Sequence, residues 1–297
     1  MKKWLKRLGL LLGVVLLAVA GLVAVAWWKS SQGMARTYVV NDSPLTIARD
    51  PETMARGAHL FATRGCADCH GNDGAGKLVL DAGPVIKVVA PNITPGGVAK
   101  GIGGDQIAAA IRHGVKPDGH PMVFMPSGDF KNMSDVDTAA LVAYVQSLTP
   151  SDNDPGANEI RPVGRVLYLL GKLPLLPAEM IDHTPRARTA PTVAATAEYG
   201  QYLAQGCTGC HGQDFAGQHV PGTPPDFPDA QNLTPANLGA WSNEDFRRAL
   251  RTGKRPDGTA LKDFMPWRTF AQLSDIEIDA LYAYLHTVPP VQTPGKR

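Results

Sequence analysis

Hydrophobic and polar positions are unevenly spread along the chain. Lys2, Lys3, Lys6 and Arg7 come first, and residues 8–28 then run for 21 positions without a charge. A helix rises 1.5 Å per residue, so this stretch spans about 31 Å, close to the hydrocarbon thickness of a bilayer. Trp4 lies at one end and Trp27 and Trp28 at the other, where amphipathic rings favour the membrane interface. Positive charge ahead of a span stays inside, which orients the rest of the chain outside the cytoplasm. A rival reading is a signal peptide cleaved after Ala18-Val19-Ala20. Cleavage there would leave residues 22–28 as an exposed apolar stub. Residues 1–31 are therefore read as a single-pass anchor in the inner membrane.

Beyond the anchor, apolar residues recur at helical spacing. Val136, Ala140, Leu141, Tyr144, Val145 and Leu148 form one such set, and Ile276, Ala280, Leu281, Tyr284 and Leu285 the other. Each set follows a serine, Ser134 or Ser274, suited to cap a helix with acids in its first turn. Further helices are expected over residues 52–64, 104–113, 197–205 and 242–252. No alternating pattern predicts a strand. The chain also repeats itself. Asn92-Ile93-Thr94-Pro95 recurs as Asn232-Leu233-Thr234-Pro235, Pro117-Asp118-Gly119 as Pro256-Asp257-Gly258, and Met125-Pro126 as Met265-Pro266. Offsets near 140 residues mean two copies of one domain. The expected organisation is mainly α, with domains at 50–150 and 196–291 joined by a Pro-rich linker, 151–195. Within it residues 163–176 are apolar but too interrupted to span a bilayer, and are expected to pack across the two domains.

The repeat also carries Cys66-Ala67-Asp68-Cys69-His70-Gly71, matched by Cys207-Thr208-Gly209-Cys210-His211-Gly212. A thioredoxin-like pair needs a βαβ context, which is missing. One zinc site would have to draw its ligands from two separate domains. Cys-x-x-Cys-His is the spacing of covalent haem attachment: two thiols add to the haem vinyl groups and the next imidazole meets the iron. For a second iron ligand the later domain offers only Met265, and the register then selects Met125 over Met122 and Met133. His113 and His120 are alternatives for the first haem without counterparts in the second copy. They read by default as surface histidines, as do His59, His183, His219 and His286. The glycines at 71–76 and 212–217 suit a backbone wrapped close to a flat ring. Asn92, Asn232, Thr94, Thr234 and Trp241 are candidates to reach haem propionates, and Trp267 to cover a haem edge.

These motifs resemble the class I cytochrome c family. The second copy, with Trp241-Ser242, Asp245-Phe246, Ala249 and Met265-Pro266-Trp267, is similar to the cytochrome c subunits of membrane-bound alcohol and gluconate dehydrogenases. The resemblance implies two tandem class I cytochrome c-like domains after one transmembrane helix, two covalently attached haem c groups, and electron transfer between a dehydrogenase or quinol donor and a cytochrome or terminal oxidase. Those subunits usually carry three haem domains, and this chain has two. The competing class is a dihaem peroxidase, which needs an open iron position that Met125 and Met265 would close. A haem-based sensor lacks a recognisable output domain. With 19% charged residues and a net charge of +2, neither a disordered chain nor a nucleic-acid binder is indicated. Residues 1–28 hold four of the bases, leaving 25 bases against 27 acids in residues 29–297. Four ionised propionates would make the exported surface about −6, suited to a basic docking patch.

Overall fold

A computed structural model describes residues 2–293. The uncharged stretch lies within one helix, α1 (Lys2–Ala35), long and apolar enough to cross a membrane. The first domain contains α2 (Pro51–Thr63), α3 (Cys66–His70), α4 (Gly104–His113), α5 (Ser127–Phe130) and α6 (Asp135–Ser147). After α7 (Pro162–Leu169), the second contains α8 (Ala197–Ala204), α9 (Thr208–His211), α10 (Pro235–Leu238), α11 (Asn243–Thr252), α12 (Trp267–Phe270) and α13 (Asp275–Leu285). The capping logic holds at the named serines. Ser134 Oγ accepts from Asp137 N–H at 3.1 Å, while Ser242 and Ser274 form reciprocal capping boxes with Asp245 and Glu277.

Each domain is organised by one close helix crossing. In the first, α2 crosses α6; in the second, α8 crosses α13. A Cβ added at Gly57 would collide with the Ala140 carbonyl, and one at Gly200 with the Ala280 carbonyl. Glycine at these two positions is therefore a requirement of backbone approach. Around the first crossing pack Leu60, Phe61, Ile107, Ile111, Met133, Leu141 and Val142. Around the second pack Tyr199, Leu203, Phe246, Leu250, Ile278 and Leu281.

Two expectations are corrected here. The first domain does contain strands: β1 (Lys77–Asp81) pairs antiparallel with β2 (Ile86–Ala90), and β3 (Glu159–Ile160) adds to β2. Alternation could not reveal them, because β1 is exposed along its whole length and β2 is buried at nearly every position. The second correction follows from the first. The apolar segment 163–176 does not wedge between the domains: Leu173, Leu175 and Leu176 build a satellite core with Ile86 and Val88 of β2 and Met34 of α1. It meets the second domain where Leu173 lies 3.2 Å from the Cβ position of Gly222.

Replacing Gly57 or Gly200 by alanine is expected to cost about 1–3 kcal/mol of stability, the usual cost of overpacking, despite the better helix propensity of alanine. Denaturant unfolding of the intact protein measures this, and unchanged midpoints would mean that the helices have room to part.

Candidate cofactor sites and the interface between them

The two Cys-x-x-Cys-His segments are folded alike. In the first domain His70 Nδ1 lies 2.9 Å from Pro91 O; in the second, His211 Nδ1 lies 2.6 Å from Gln231 O. A carbonyl only accepts, so Nδ1 carries the proton in each ring and Nε2 keeps its lone pair. Burial lowers the pKa of both imidazoles, although the carbonyl contact opposes this, and so favours the neutral form that ligates metals. Behind each histidine the backbone returns: Gly76 N–H donates to His70 O at 2.8 Å, and Gly217 N–H to His211 O at 2.9 Å. These glycines have φ of 79° and 82°, and a Cβ at either would stand 2.5–2.6 Å from backbone of the following loop. Their close approach is thus to the chain itself.

All four cysteines are half-buried and none is joined in a disulfide. Desolvation pushes Cys66 and Cys207 up to about 12 and raises Cys69 and Cys210 as well. Among the described residues no three His, Cys, Asp or Glu side chains converge as an all-protein metal centre requires. The thiols and the methionines do share cores. Cys66 and Met125 pack on the first apolar cluster, Cys207 and Met265 on the second.

Several side chains stand elsewhere than the sequence suggested. His113 is fully buried, with Nε2 3.0 Å from Asp42 and Nδ1 3.0 Å from His183. Both nitrogens are engaged, which removes it as an iron ligand, and it is not a surface histidine. Arg188 Nη1 reaches the same Asp42 at 2.6 Å, and Arg112 Nη2 reaches Asp135 at 2.7 Å. Desolvation works to raise the Asp42 carboxyl, but hydrogen bonds from His113 and Arg188 outweigh it and hold the group low. Asn92 and Asn232 are committed to their own loops. Each Oδ1 accepts from the N–H and hydroxyl of Thr94 or Thr234, and each Nδ2 donates to the returning chain at Ser151 O or Val291 O. They are structural clamps, not propionate ligands. Trp267 lies against Gly253, 2.6 Å from its Cβ position, with the Arg268 guanidinium 4.4 Å over the ring.

The contacts between the domains were invisible in sequence, and they obey an approximate two-fold. Asp137 and Glu277 occupy the third position of α6 and α13 and are both buried. Tyr202, on α8, donates to Asp137 Oδ2 at 2.5 Å and accepts from Ser134 N–H at 3.0 Å. His59, the matching position of α2, pairs with Glu277 at 2.8 Å. Arg56 closes on Asp137 from within the first domain. The relation continues at the attachment segments. Thr269, four residues after Met265, donates to Asp68, between the first two cysteines. Asp129, four residues after Met125, faces Gly209, between the second two, with its Oδ1 3.0 Å from the Cβ position there. Each domain thus turns its methionine-side helix onto the other's Cys-x-x-Cys-His segment. A repeat shows only that two copies exist; the one available signal was the pair of acids 140 residues apart in otherwise apolar helices.

Comparison with known proteins bears on what this duplicated geometry holds. The cytochrome c family profile matches residues 54–149 and 197–289. A diheme cytochrome c-type protein of Cereibacter sphaeroides is 29% identical over 96% of this chain and all of its own length. The cytochrome c subunit of alcohol dehydrogenase (quinone) from Gluconacetobacter polyoxogenes is 28% identical over 82% of this chain, which spans 57% of that relative. The cbb3-type cytochrome c oxidase subunit CcoP of Helicobacter pylori is 31% identical over 42% of this chain and 38% of its own.

Burial at the interface pushes the Asp129 carboxyl up to about 6, with Lys131 opposing the rise. A raised carboxyl opposes the folded state above that pH, and the penalty vanishes below the unfolded value near 4. Asp129→Asn is therefore expected to raise the melting midpoint by a few degrees at pH 8 and by much less at pH 4. A gain that is the same at both would show that charge is not the cause.

Proposed function

Because the chain belongs to the cytochrome c family and is an electron-transfer cytochrome with two covalently bound haem c groups, we propose that it is a membrane-anchored dihaem carrier. It takes single electrons from a dehydrogenase or quinol-oxidising donor and delivers them to a cytochrome or oxidase. Relatives that are subunits of a dehydrogenase and of an oxidase support partners of these two classes. The apolar α1, with its basic N-terminal flank, supports tethering to the inner membrane with both domains outside the cytoplasm.

In this reading residues 50–150 and 196–291 each enclose one haem. Cys66 and Cys69 hold the first through thioethers, with His70 and Met125 at its iron; Cys207, Cys210, His211 and Met265 do the same for the second. Haem c supplies reversible one-electron chemistry at its iron. The side chains present suit it. The observation that carries the reading is the duplicated constellation: a histidine with Nδ1 anchored on a backbone carbonyl, two cysteines beside it, and a methionine on the same apolar core. Pro91 O and Gln231 O fix each imidazole plane, so its orientation does not depend on solvent. Met125 and Met265 as the second ligands would favour the reduced state more than a second imidazole would, and burial in an apolar core would work in the same direction.

Met125→Ala and Met265→Ala are each expected to abolish about half of the weak far-red thioether-to-iron absorption of the oxidised protein and to lower one midpoint potential. Cys66→Ser combined with Cys69→Ser should leave one haem per chain after denaturing electrophoresis. Retention of the full far-red absorption in both methionine variants would overturn the ligand assignment.

A further inference from the structure

A single membrane helix usually tethers a soluble domain through a loose linker, and the domain then tumbles above the bilayer. Here the end of α1 is enclosed. Ala26 and Ser30 are fully buried and Gly33 is buried with them. Their spacing of four and three residues puts them on one helix face. That face is covered by α7 and the turn after it. A Cβ at Gly33 would stand 2.5 Å from Tyr168 Oη and 3.0 Å from Leu176 Cδ1, so side chains of α7 and of the turn after it lie directly on the Gly33 backbone. Tyr168 Oη donates to Glu179 at 2.8 Å. Arg165 Nη1 donates to Ser30 Oγ at 2.6 Å, and its guanidinium lies 3.8 Å over the ring of Trp27. Its Nε is held by Ile160 O at 3.2 Å, which ties the same arginine to the sheet of the first domain.

The fastening continues past the helix. Met34 enters the satellite core beside Ile86 and Leu176. Tyr38 N–H donates to Gly119 O at 2.9 Å, and Asp42 is gripped by Arg188 and His113. From Trp27 to Asp42 a contact with the first domain recurs every few residues.

We propose that α1 and the first haem domain form one rigid body, seated on the outer surface of the bilayer in a fixed orientation. The occupant of the seated face is the lipid headgroup layer, and continuity with the span identifies it. Arg165 is level with Trp27 and Ser30, and Tyr168 with Gly33, so α7 runs in the same sense as α1 with its first turn toward the membrane. Trp27 marks the interfacial depth. Val163, 42% exposed on that first turn, therefore lies at the level of the headgroups. A fixed seat means that a partner in the same membrane meets the same face of the carrier at each encounter, without first ordering a flexible tether. The inference rests on the reading of α1 as a retained membrane helix.

The test uses the full-length haem-loaded protein in aligned bilayers of mixed zwitterionic and anionic phospholipid, with linear dichroism of the haem absorption as readout. A rigid seat gives a definite dichroism. Gly33→Leu combined with Arg165→Ala should remove most of it, with the isotropic haem spectrum and resistance to alkaline washing unchanged. Arg165→Ala alone, a milder change, should reduce it in part and covers the case in which the double variant does not fold. Washed-resistant protein that shows no dichroism, or whose dichroism survives both variants, would overturn the rigid seat and leave the anchor intact. Release of the unmodified protein by alkaline washing would instead sink the anchor, and the seat with it.

Discussion

Two carboxylates buried at matching positions, Asp137 and Glu277, constrain everything around them. A carboxylate withdrawn from water must be met by a cation or by hydrogen bonds, or its burial costs more than the fold can supply. Each sits in the first turn of the helix that closes its domain, where the N-terminal dipole helps, and Ser274 N–H also donates to Glu277. That help is partial. Asp137 is met by Arg56 of its own domain and by Tyr202 of the other, and Glu277 by His59 of the other. Each buried acid thus takes one partner from across the boundary, and docking completes the set. The docking in turn sets Asp68 against Thr269 and Asp129 against Gly209, which brings both cofactor-attachment segments to the shared boundary.

Much of the fold was legible in the chain because it is written locally. The capping serines, the helical recurrence in α6 and α13, and the glycine loops around the paired cysteines are all features a few residues long, and duplication checks each of them. What was not legible is long-range. The hairpin escaped because one strand is wholly exposed and the other almost wholly buried, so neither alternates. With the hairpin unseen, the apolar residues 163–176 had no visible partner and were assigned to the wrong surface. His113 looked like a surface residue because its partners, Asp42, His183 and Arg188, lie about 70 residues away on either side. Asn92 and Asn232 looked free to reach outward because the carbonyls they bind come from the ends of their domains. The face-to-face docking left the faintest trace, two acids in apolar helices.

The copies are alike at the cofactor and unlike elsewhere, and the differences fall on one side. Among the described residues the first domain alone carries the hairpin, the contacts with Tyr38 and Asp42 and the packing against α1. Both acids at the attachment boundary, Asp68 and Asp129, also belong to it, while the second domain offers Thr269 and Gly209 in the matching places. One of these carboxylates is hydrogen-bonded and the other is desolvated with a raised pKa. With the proposed ligands the two sites would be matched in ligation while standing in unequal electrostatic surroundings. Identical ligation with unequal surroundings is a way to separate two potentials without changing the chemistry at either centre.

Rigidity then propagates outward from the membrane. If α1 and the first domain move together, the second domain is expected to follow, because it is held by buried contacts, His59 with Glu277 and Tyr202 with Asp137, whose rupture would strip each carboxylate of one partner. An interface of exposed ion pairs would not transmit orientation in this way, since such pairs contribute little and exchange readily with water. On the proposed membrane seat, the buried acids that turn the two sites toward each other would also fix the height of the second site above the bilayer. Partner choice would then be decided by geometry as well as by charge. A donor in the membrane plane and an acceptor approaching from solution would meet surfaces that keep their relation to each other, and a mildly acidic exported surface would bias both encounters toward basic patches.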